Sequence, residues 1–377
     1  KVCFSSFISS MEMSALQNGL PSQYLTAVLT NLTDMRVAMF TADAWRSFFV
    51  VLAGTLLIAF FALGRLKAKT TLVLVGVLCL VDLWSVNKRY LCDEMYVEPR
   101  EVAHSKLFSP SAADKVILSD KSLDYRVLNL ASNTFNENET SYYHKSVGGY
   151  NAAKLRRYQE MIEEHIAPEM QALYKEVATA GGDMTQVNDS LFPVINMLNT
   201  RWFILPAADG TTVPLQNPYA LGNAWFVSEV QEAANANEEI EALHHINPRH
   251  TAVVDKRFAS AVGQAQPVDS TCTVTMKSYD ANRLTYEVNS PKGGVVVFAE
   301  VYYPGWQAFI DGKEVAVGRA DYILRALQVP AGRHELVMTF DPVSLHTTET
   351  IAYIALALLL LGIVAGIVLH VRRGKRK

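Results

Sequence analysis

The stretch IAYIALALLLLGIVAGIVLH, residues 351–370, contains no Asp, Glu, Lys or Arg. The stretches SFFVVLAGTLLIAFFALG, residues 47–64, and TTLVLVGVLCLVDLWSV, residues 70–86, are also strongly apolar. A helix needs about 17–25 such residues to cross a bilayer, and each stretch is long enough. The sequence therefore predicts an α-helical membrane protein with three transmembrane helices, the first two forming a hairpin over residues 47–86.

The basic residues around these stretches predict the topology. Arg65, Lys67 and Lys69 separate the first two stretches, and a basic tail, residues 372–377, follows the third. The positive-inside rule places both clusters in the cytoplasm. We therefore expect a multi-pass protein of the bacterial cytoplasmic membrane with a cytoplasmic C-terminus and a large external block. A start outside the membrane requires an earlier span, so we expect the chain to be the C-terminal part of a longer protein.

Composition narrows the class of protein. Mean hydropathy is +0.11 and the formal net charge is -3, which suits a few spans with a globular block and argues against a nucleic-acid-binding protein. The four cysteines include no C-x-x-C pair, so no cysteine metal site or redox motif is predicted. Cys92 and Cys272 both lie in the predicted external block. They either form a disulfide or remain free thiols, and their spacing leaves both alternatives open.

The external residues divide into three predicted parts. Residues 1–46 favour amphipathic helices, with a second helix starting near Pro21; they lie either along the membrane or against neighbouring spans. Residues 87–253 mix helices and strands and predict an α/β or α+β domain. Residues 254–342 contain many short strands with tight turns, including Asp311-Gly312, and predict an antiparallel β-sandwich. A polar linker then leads to the third helix, predicted over residues 350–371.

Individual elements follow from apolar periodicity. The predicted helices cover residues 152–165, 189–198 and 233–243. The predicted strands cover residues 125–130, 201–205, 271–277, 283–288, 294–302, 306–310, 313–317, 322–329 and 334–340.

One acidic residue lies within a predicted span. Asp82 is near the outer end of the second apolar stretch, and an intramembrane ionisable residue is a candidate for function. Arg89 follows on the same helical face, so a structural ion pair between the two is the simpler alternative.

A second candidate site combines glycines with basic residues. It consists of Tyr143, His144, Lys145, Gly148, Gly149 and Tyr150, followed by Arg156 and Arg157 on the next predicted helix. Backbone N–H groups freed by glycine near a helix start can hold phosphate, and basic side chains can bind a lipid phosphate or an anionic acceptor. The alternative is a glycine-rich turn beside a solvated helix.

Other candidates are weaker. Tyr303 and Trp306 are positioned to stack on a sugar ring or, alternatively, to close the core of the sandwich. His244, His245 and His250 lack the partners of a metal site, so no metal and no cofactor are predicted. Glu160, Glu163 and Glu164 fit a solvated helix face.

Several short segments, taken in order, resemble bacterial YfhO-family membrane proteins. They include Tyr303-Pro-Gly-Trp306, Asp311-Gly-Lys313 and Val329-Pro-Ala-Gly-Arg-His334. Earlier segments that fit are Asp43-Ala-Trp-Arg46, Asp82-Leu-Trp84 and the segment from Tyr143 to Gln159, so the resemblance covers nearly the whole chain.

The resemblance implies a GT-C-type glycosyltransferase. Such an enzyme transfers sugar from a polyprenyl-phosphate donor to cell-envelope polymers on the outer face of the membrane. The implied partners are membrane lipid, the lipid-linked sugar and the envelope polymer. The catalytic acid of that class usually lies in an N-terminal outer loop, which this chain does not contain, so the catalytic residues are unknown.

Two other functions fit the residues. One is a non-catalytic, membrane-anchored envelope module that binds glycan or a partner protein. The other is a transporter subunit, which is disfavoured because the apolar stretches show neither interruptions nor paired charges.

Overall fold

A computed structural model describes residues 7–19, 21–100 and 109–374. The end of the basic tail, residues 375–377, lies outside the described residues. The chain forms two compact units, Lys1–Val102 and Ala103–Lys377.

The first unit is helical. It contains α1 (Ser10–Gly19), α2 (Ser22–Ala62) and α3 (Ala68–Tyr90). Pro21 immediately precedes α2, as predicted from its tolerance at a helix start. Both α2 and α3 are long and apolar enough to span a membrane, as is the C-terminal helix of the second unit, Val343–Gly374. The three predicted membrane helices are therefore confirmed in the described part of the chain.

Helix α2 begins far earlier than the predicted first span at residue 47. Its 41 residues correspond to about 60 Å at 1.5 Å per residue, about twice the thickness of the hydrocarbon core. Neither glycine nor proline occurs between Ser22 and Gly54, so nothing in the sequence interrupts the helix before the apolar stretch. The segment before residue 47 is thus a helical extension of the span.

The second unit begins with a mixed region. Its first elements are α4 (Ala112–Ile117), β1 (Arg126–Asn129), α5 (Arg156–Met161), a π-helical turn (Ile162–Ile166), α6 (Ala167–Thr179), α7 (Pro193–Met197), β2 (Thr200–Pro206) and β3 (Thr212–Gln216). Strand β2 pairs with β1 in parallel and with β3 antiparallel. The helix predicted to end at residue 165 continues instead to Thr179, because Pro168 lies in the first turn of α6, where proline is tolerated.

A small parallel pair follows. Strands β5 (Glu229–Ala233) and β6 (Thr251–Asp255) are joined through α8 (Ala236–Ala242). The helix was predicted, whereas neither strand was.

The strands of the sandwich are β4 (Ala224–Val227), β7 (Thr273–Asp280), β8 (Arg283–Ser290), β9 (Gly294–Val301), β10 (Trp306–Ile310), β11 (Lys313–Val315), β12 (Gly318–Ala320), β13 (Leu324–Val329) and β14 (Gly332–Phe340). They form two antiparallel sheets with the orders β11-β10-β14-β8-β7 and β12-β13-β9-β4. Short helix α9 (Ala259–Val262) precedes them in the chain, apart from β4. The predicted fold class, membrane helices with a C-terminal antiparallel sandwich, is confirmed. Strand β4 joins the second sheet from a position before residue 254.

The sandwich core is formed by the inward faces of the two sheets. Tyr286, Val288, Phe298, Leu327 and Met338 are completely buried there. Burial alternates along β8, as expected of a strand with one face on a core.

The hairpin at Asp311-Gly312 is confirmed. Both residues have positive φ, 49° and 79°, as a two-residue turn between twisted strands requires. The Asp311 carboxylate also lies 2.6 Å from Nδ1 of His334 and accepts a hydrogen bond from the Glu335 amide. These contacts tie the hairpin to the first residues of β14, so the segments Asp311-Gly-Lys313 and Val329-Pro-Ala-Gly-Arg-His334 have a structural role.

Only two residues, Asp341 and Pro342, separate the end of β14 at Phe340 from the start of the C-terminal helix α10 (Val343–Gly374). The segment predicted as a polar linker before residue 350 therefore forms the first two turns of this helix. Cys92 and Cys272 are free thiols in the structure.

Candidate functional site

An open cleft of about 510 Å³ lies beside helix α5 in the second unit. Its walls include the aromatic rings of Phe135 and Tyr150, the amides of Asn136, Asn151 and Gln159, the cations Lys154 and Arg156, and the acids Glu160 and Glu163. Two positive and two negative side chains balance each other. Aromatic faces can stack on the C–H face of a sugar, and amides both donate and accept hydrogen bonds, so the lining suits a neutral polyhydroxylated ligand.

The two glycines of the predicted phosphate site shape one wall of this cleft. A Cβ atom at Gly148 would collide with the backbone carbonyl of Thr134. The Gly149 amide donates to that carbonyl at 2.7 Å, and the Tyr150 amide donates to the Glu137 carbonyl at 2.8 Å. The Gly148 amide donates to the Ser146 hydroxyl. Glycine thus permits a close approach of two loops, and the amides for which the sequence predicts phosphate binding are hydrogen-bonded within the protein.

Three other predicted residues point away from the cleft. Lys145 forms an ion pair with the buried Asp124, and its Nζ lies 2.9 Å from the ring centroid of Tyr279. The buried His144 lies 2.9 Å from the Asp114 carboxylate. Tyr143 lines a separate small pocket of about 150 Å³.

The two predicted arginines are adjacent in sequence but lie in different environments. The side chain of Arg156 is 89% exposed and bonds to Glu160 at 2.8 Å at the edge of the cleft. Arg157 packs 4.3 Å from the ring of Tyr322 and lies 3.5 Å from the buried Glu239. Of the eight predicted residues, Tyr150 and Arg156 therefore contribute side chains to the cleft.

The sequence predicts a solvated position for Glu160, and the structure shows a more specific role. Its Oε2 accepts a hydrogen bond from the Tyr322 hydroxyl at 2.5 Å. This bond, together with the bond from Arg156, lowers the pKa of Glu160. Glu160 is therefore an ionised acceptor held in place at the cleft wall. Tyr322 is 162 positions away in sequence, so no local pattern reveals the contact.

A buried ionic cluster supports Tyr322. Arg319 lies 2.9 Å from Glu239 and 3.8 Å from Asp255, and Glu239 also accepts a hydrogen bond from the Tyr322 amide. Asp321 is completely buried, and one of its oxygens accepts from the Val253 amide at 2.8 Å. Burial raises the pKa of Asp321 to about 8 and also raises that of Glu239. No local sequence pattern indicates this cluster, because its residues lie far apart in the chain.

The π-helical turn continues the helix that carries the cleft residues. Such turns insert a residue into a helix and often occur at functional sites. Within it, His165 is buried, donates to the Ile240 carbonyl at 2.9 Å and stacks on His244. Burial lowers the pKa of His165. In residues 7–19, 21–100 and 109–374, no group of three His, Cys, Asp or Glu side chains is arranged to hold a metal ion.

The two predicted sugar-stacking residues lie in the sandwich, away from the residues that line the cleft. The guanidinium of Arg325 lies 3.7 Å from the ring of Trp306, whose indole also contacts Phe340. Tyr303 packs on Phe340 at 6.1 Å between ring centroids and remains half exposed.

The intramembrane acid forms part of an ion-pair chain in the first unit. Asp82 bonds to Arg46 at 2.5 Å, and Asp43 bonds to both Arg46 and Arg89. The expected pairing of Asp82 with Arg89 is wrong, because two turns of one helix separate these residues by about 10 Å. The antiparallel hairpin brings Arg46 opposite Asp82 instead.

Comparison with known proteins identifies the C-terminal part of the chain. Residues 254–352 match the family model described as bacterial membrane protein YfhO. No curated protein and no solved structure matches the chain. The matched range holds most of the sandwich and the beginning of α10. The resemblance predicted from the sequence is thus confirmed over residues 254–352, where the chain matches the YfhO family model.

Proposed function

We propose that this protein takes part in glycosyl transfer at the outer face of the bacterial cytoplasmic membrane, and that its cleft holds the glycan acceptor. In this proposal the donor is a polyprenyl-phosphate sugar and the acceptor is a cell-envelope polymer. The observation that carries the proposal is the cleft beside α5, whose aromatic, amide and carboxylate groups match the surface of a sugar chain.

The cleft is suited to recognising hydroxyl groups. Glu160 is ionised, and Tyr322 and Arg156 fix its position, so it can accept a hydrogen bond from a sugar hydroxyl without first being ordered. Gln159 is oriented by a bond to Glu163 at 2.7 Å. Tyr150 is 65% exposed and offers a face on which a sugar ring can stack.

One of the two cations that line the cleft, Arg156, suits the donor side of the reaction. Lys145 and Arg157 are engaged within the protein, whereas the guanidinium of Arg156 remains exposed beside Glu160. An arginine in this position can bind a phosphate oxygen. We therefore assign donor or acceptor phosphate contact to Arg156 rather than to Lys145 or Arg157.

The distribution of basic residues supports an outer location. Arg65, Lys67 and Lys69 lie at or beside the turn between α2 and α3, and Arg372 and Arg373 lie in the last turn of α10. The positive-inside rule assigns both positions to the cytoplasm. The mixed region and the sandwich, which connect α3 to α10 in the chain, then lie outside.

The test measures transfer of labelled sugar from polyprenyl phosphate to envelope polymer in vesicles that contain the full-length natural protein. We expect Tyr150→Ala to reduce transfer about tenfold, the equivalent of about 1.4 kcal/mol. Tyr174→Ala is the matched control, since Tyr174 is a half-exposed tyrosine on the next helix. Equal rates for the two variants would contradict the proposal.

Arg156 has its own control. Arg333 forms a surface pair with Glu287 at 2.7 Å, comparable to the pair of Arg156 with Glu160. We expect Arg156→Gln to reduce transfer and Arg333→Gln to leave it unchanged.

A non-catalytic glycan-binding module is the second candidate. The lowered pKa of Glu160 favours it, because an acid that stays ionised can bind hydroxyls but has no proton to give to a leaving group. This candidate predicts that Tyr150→Ala weakens binding of envelope polymer to the protein and that full-length protein shows no sugar transfer.

A further inference from the structure

The loop Tyr303-Pro-Gly-Trp306 packs against the chain segment that enters the C-terminal membrane helix. Gly305 has φ 107°, and a Cβ atom there would press on Pro342 at 2.8 Å and on the Phe340 ring. The carbonyl of Gly305 accepts a hydrogen bond from the Asp341 amide at 3.2 Å. The loop is therefore fixed beside residues 340–342, immediately before α10.

Helix geometry gives the distance of this loop from the membrane. Eight residues separate the start of α10 at Val343 from the start of the apolar stretch at Ile351, or about 12 Å at 1.5 Å per residue. The polar layer on each side of a bilayer is about 5–8 Å thick, since the hydrocarbon core is about 30 Å and the whole bilayer about 40–45 Å. The loop therefore lies about 4–7 Å beyond the outer boundary of the headgroups, within reach of a tyrosine side chain.

Apolar side chains are exposed at this end of the sandwich. Tyr303 is 48% exposed, and the first turn of α10 exposes 75% of Val343 and 50% of Leu345. Tyrosine is enriched at membrane interfaces because its ring is apolar and its hydroxyl is polar.

We propose that Tyr303, together with Val343 and Leu345, forms a surface that contacts the lipid headgroups and holds the sandwich against the bilayer. The partner of this surface is the membrane that α10 enters. The surface therefore continues the contact that α10 itself makes with the bilayer. This assignment is independent of the cleft and of sugar transfer. It gives Tyr303 a lipid partner in place of the sugar-stacking role expected from sequence.

The sandwich offers an internal control. The Asp311-Gly312 hairpin lies at the opposite end of β10 from Trp306, about 16 Å away along the strand. Lys313 is exposed there. When α10 spans the bilayer, a lipid contact at Tyr303 therefore excludes an equal contact at Lys313.

The experiment places a fluorescent label at each position in the full chain. Cys3, Cys79, Cys92 and Cys272 are replaced by serine, and Tyr303→Cys or Lys313→Cys is labelled and reconstituted into phosphatidylcholine vesicles that carry a nitroxide on the headgroup. We expect severalfold stronger quenching at position 303 than at position 313.

Asn282→Cys supplies a second reporter at the same end, because the Asn282 carbonyl accepts a hydrogen bond from the Phe340 amide at 2.9 Å. It replaces Tyr303→Cys if that variant does not fold. Quenching at position 303 or 282 that is no stronger than at 313 overturns the proposal. That result leaves a sugar contact as the role of Tyr303, and protection of the label by added envelope polymer would identify it.

Discussion

Replacing Asp321 with asparagine should stabilise the second unit at neutral pH. Asp321 is completely buried, and one carboxylate oxygen, Oδ2, has no hydrogen-bond partner within the part of the chain that the structure describes. Its pKa of about 8 means that the carboxyl group is mainly protonated in the folded protein at pH 7. The asparagine side chain has nearly the same shape as the protonated acid, with an NH₂ group in place of the acid OH, and its oxygen would still accept from the Val253 amide.

The size of the effect follows from the two pKa values. The unfolded carboxyl titrates near 3.8 and the folded one near 8, so the folded state binds one more proton between these values. Stability therefore falls as pH rises through this window. At pH 7, about three pH units above the unfolded pKa, the buried carboxyl group therefore lowers the free energy of unfolding by about 4 kcal/mol, since each unit corresponds to about 1.36 kcal/mol. Asparagine does not titrate, so Asp321→Asn should add up to about 4 kcal/mol at pH 7 and almost nothing near pH 4.

The assay is urea unfolding of the full chain in detergent at several pH values, followed by tryptophan fluorescence. Trp202, Trp225 and Trp306 report on the second unit. Asp189→Asn is the control, because Asp189 is exposed, and its unfolding midpoint should match that of the parent protein. A variant Asp321→Asn that is less stable at pH 7, or a stability difference that does not change with pH, would refute the assignment of a protonated Asp321.

Three further predictions concern other contacts. Gly148→Ala should destabilise the cleft wall by about 1–3 kcal/mol in urea unfolding, since its Cβ must displace backbone; an unchanged midpoint would contradict the close approach. Arg46→Gln should lower the thermal midpoint in vesicles, and adding Asp82→Asn should recover part of the loss, because the two side chains are paired; strictly additive losses would count against the pair. The bond to Asp311 raises the pKa of His334, so this contact should stabilise the sandwich fully below about pH 6.5 and less as pH rises through the raised pKa; the stability gap between the parent and His334→Gln should shrink across that range.

The sequence predicts best where local composition determines structure. A long apolar stretch has few alternatives to a membrane helix, and Asp311-Gly312 permits a tight hairpin, so strand 306–310 was predicted with its observed bounds. The start of α2 was missed because the span was delimited by hydropathy, whereas the helix continues wherever nothing interrupts it.

Prediction fails where a strand is defined by its partners. Strand β4 has four residues without alternation and forms by pairing with β9. Strand β5 is largely exposed and forms by parallel pairing with β6. For the candidate site, the sequence identified Tyr150 and Arg156 but not Glu160 as a positioned group, because its partner Tyr322 belongs to the sandwich.

The buried cluster connects the sandwich to the cleft, and this connection accounts for its unfavourable features. Asp321 and Tyr322 are non-glycine residues with positive φ, 49° and 68°, a conformation that costs about 1–3 kcal/mol at each position, and Asp321 adds the cost of a buried acid. Together they place the Tyr322 hydroxyl 2.5 Å from Glu160, where it orders an acceptor in the cleft. A fold selected for stability alone has no need of this arrangement, since apolar residues can replace a buried ionic cluster with equal or greater stability. The cluster is therefore best explained by the residue that it positions. It lowers the stability of the second unit, and it orders the Glu160 carboxylate in the cleft before a ligand binds.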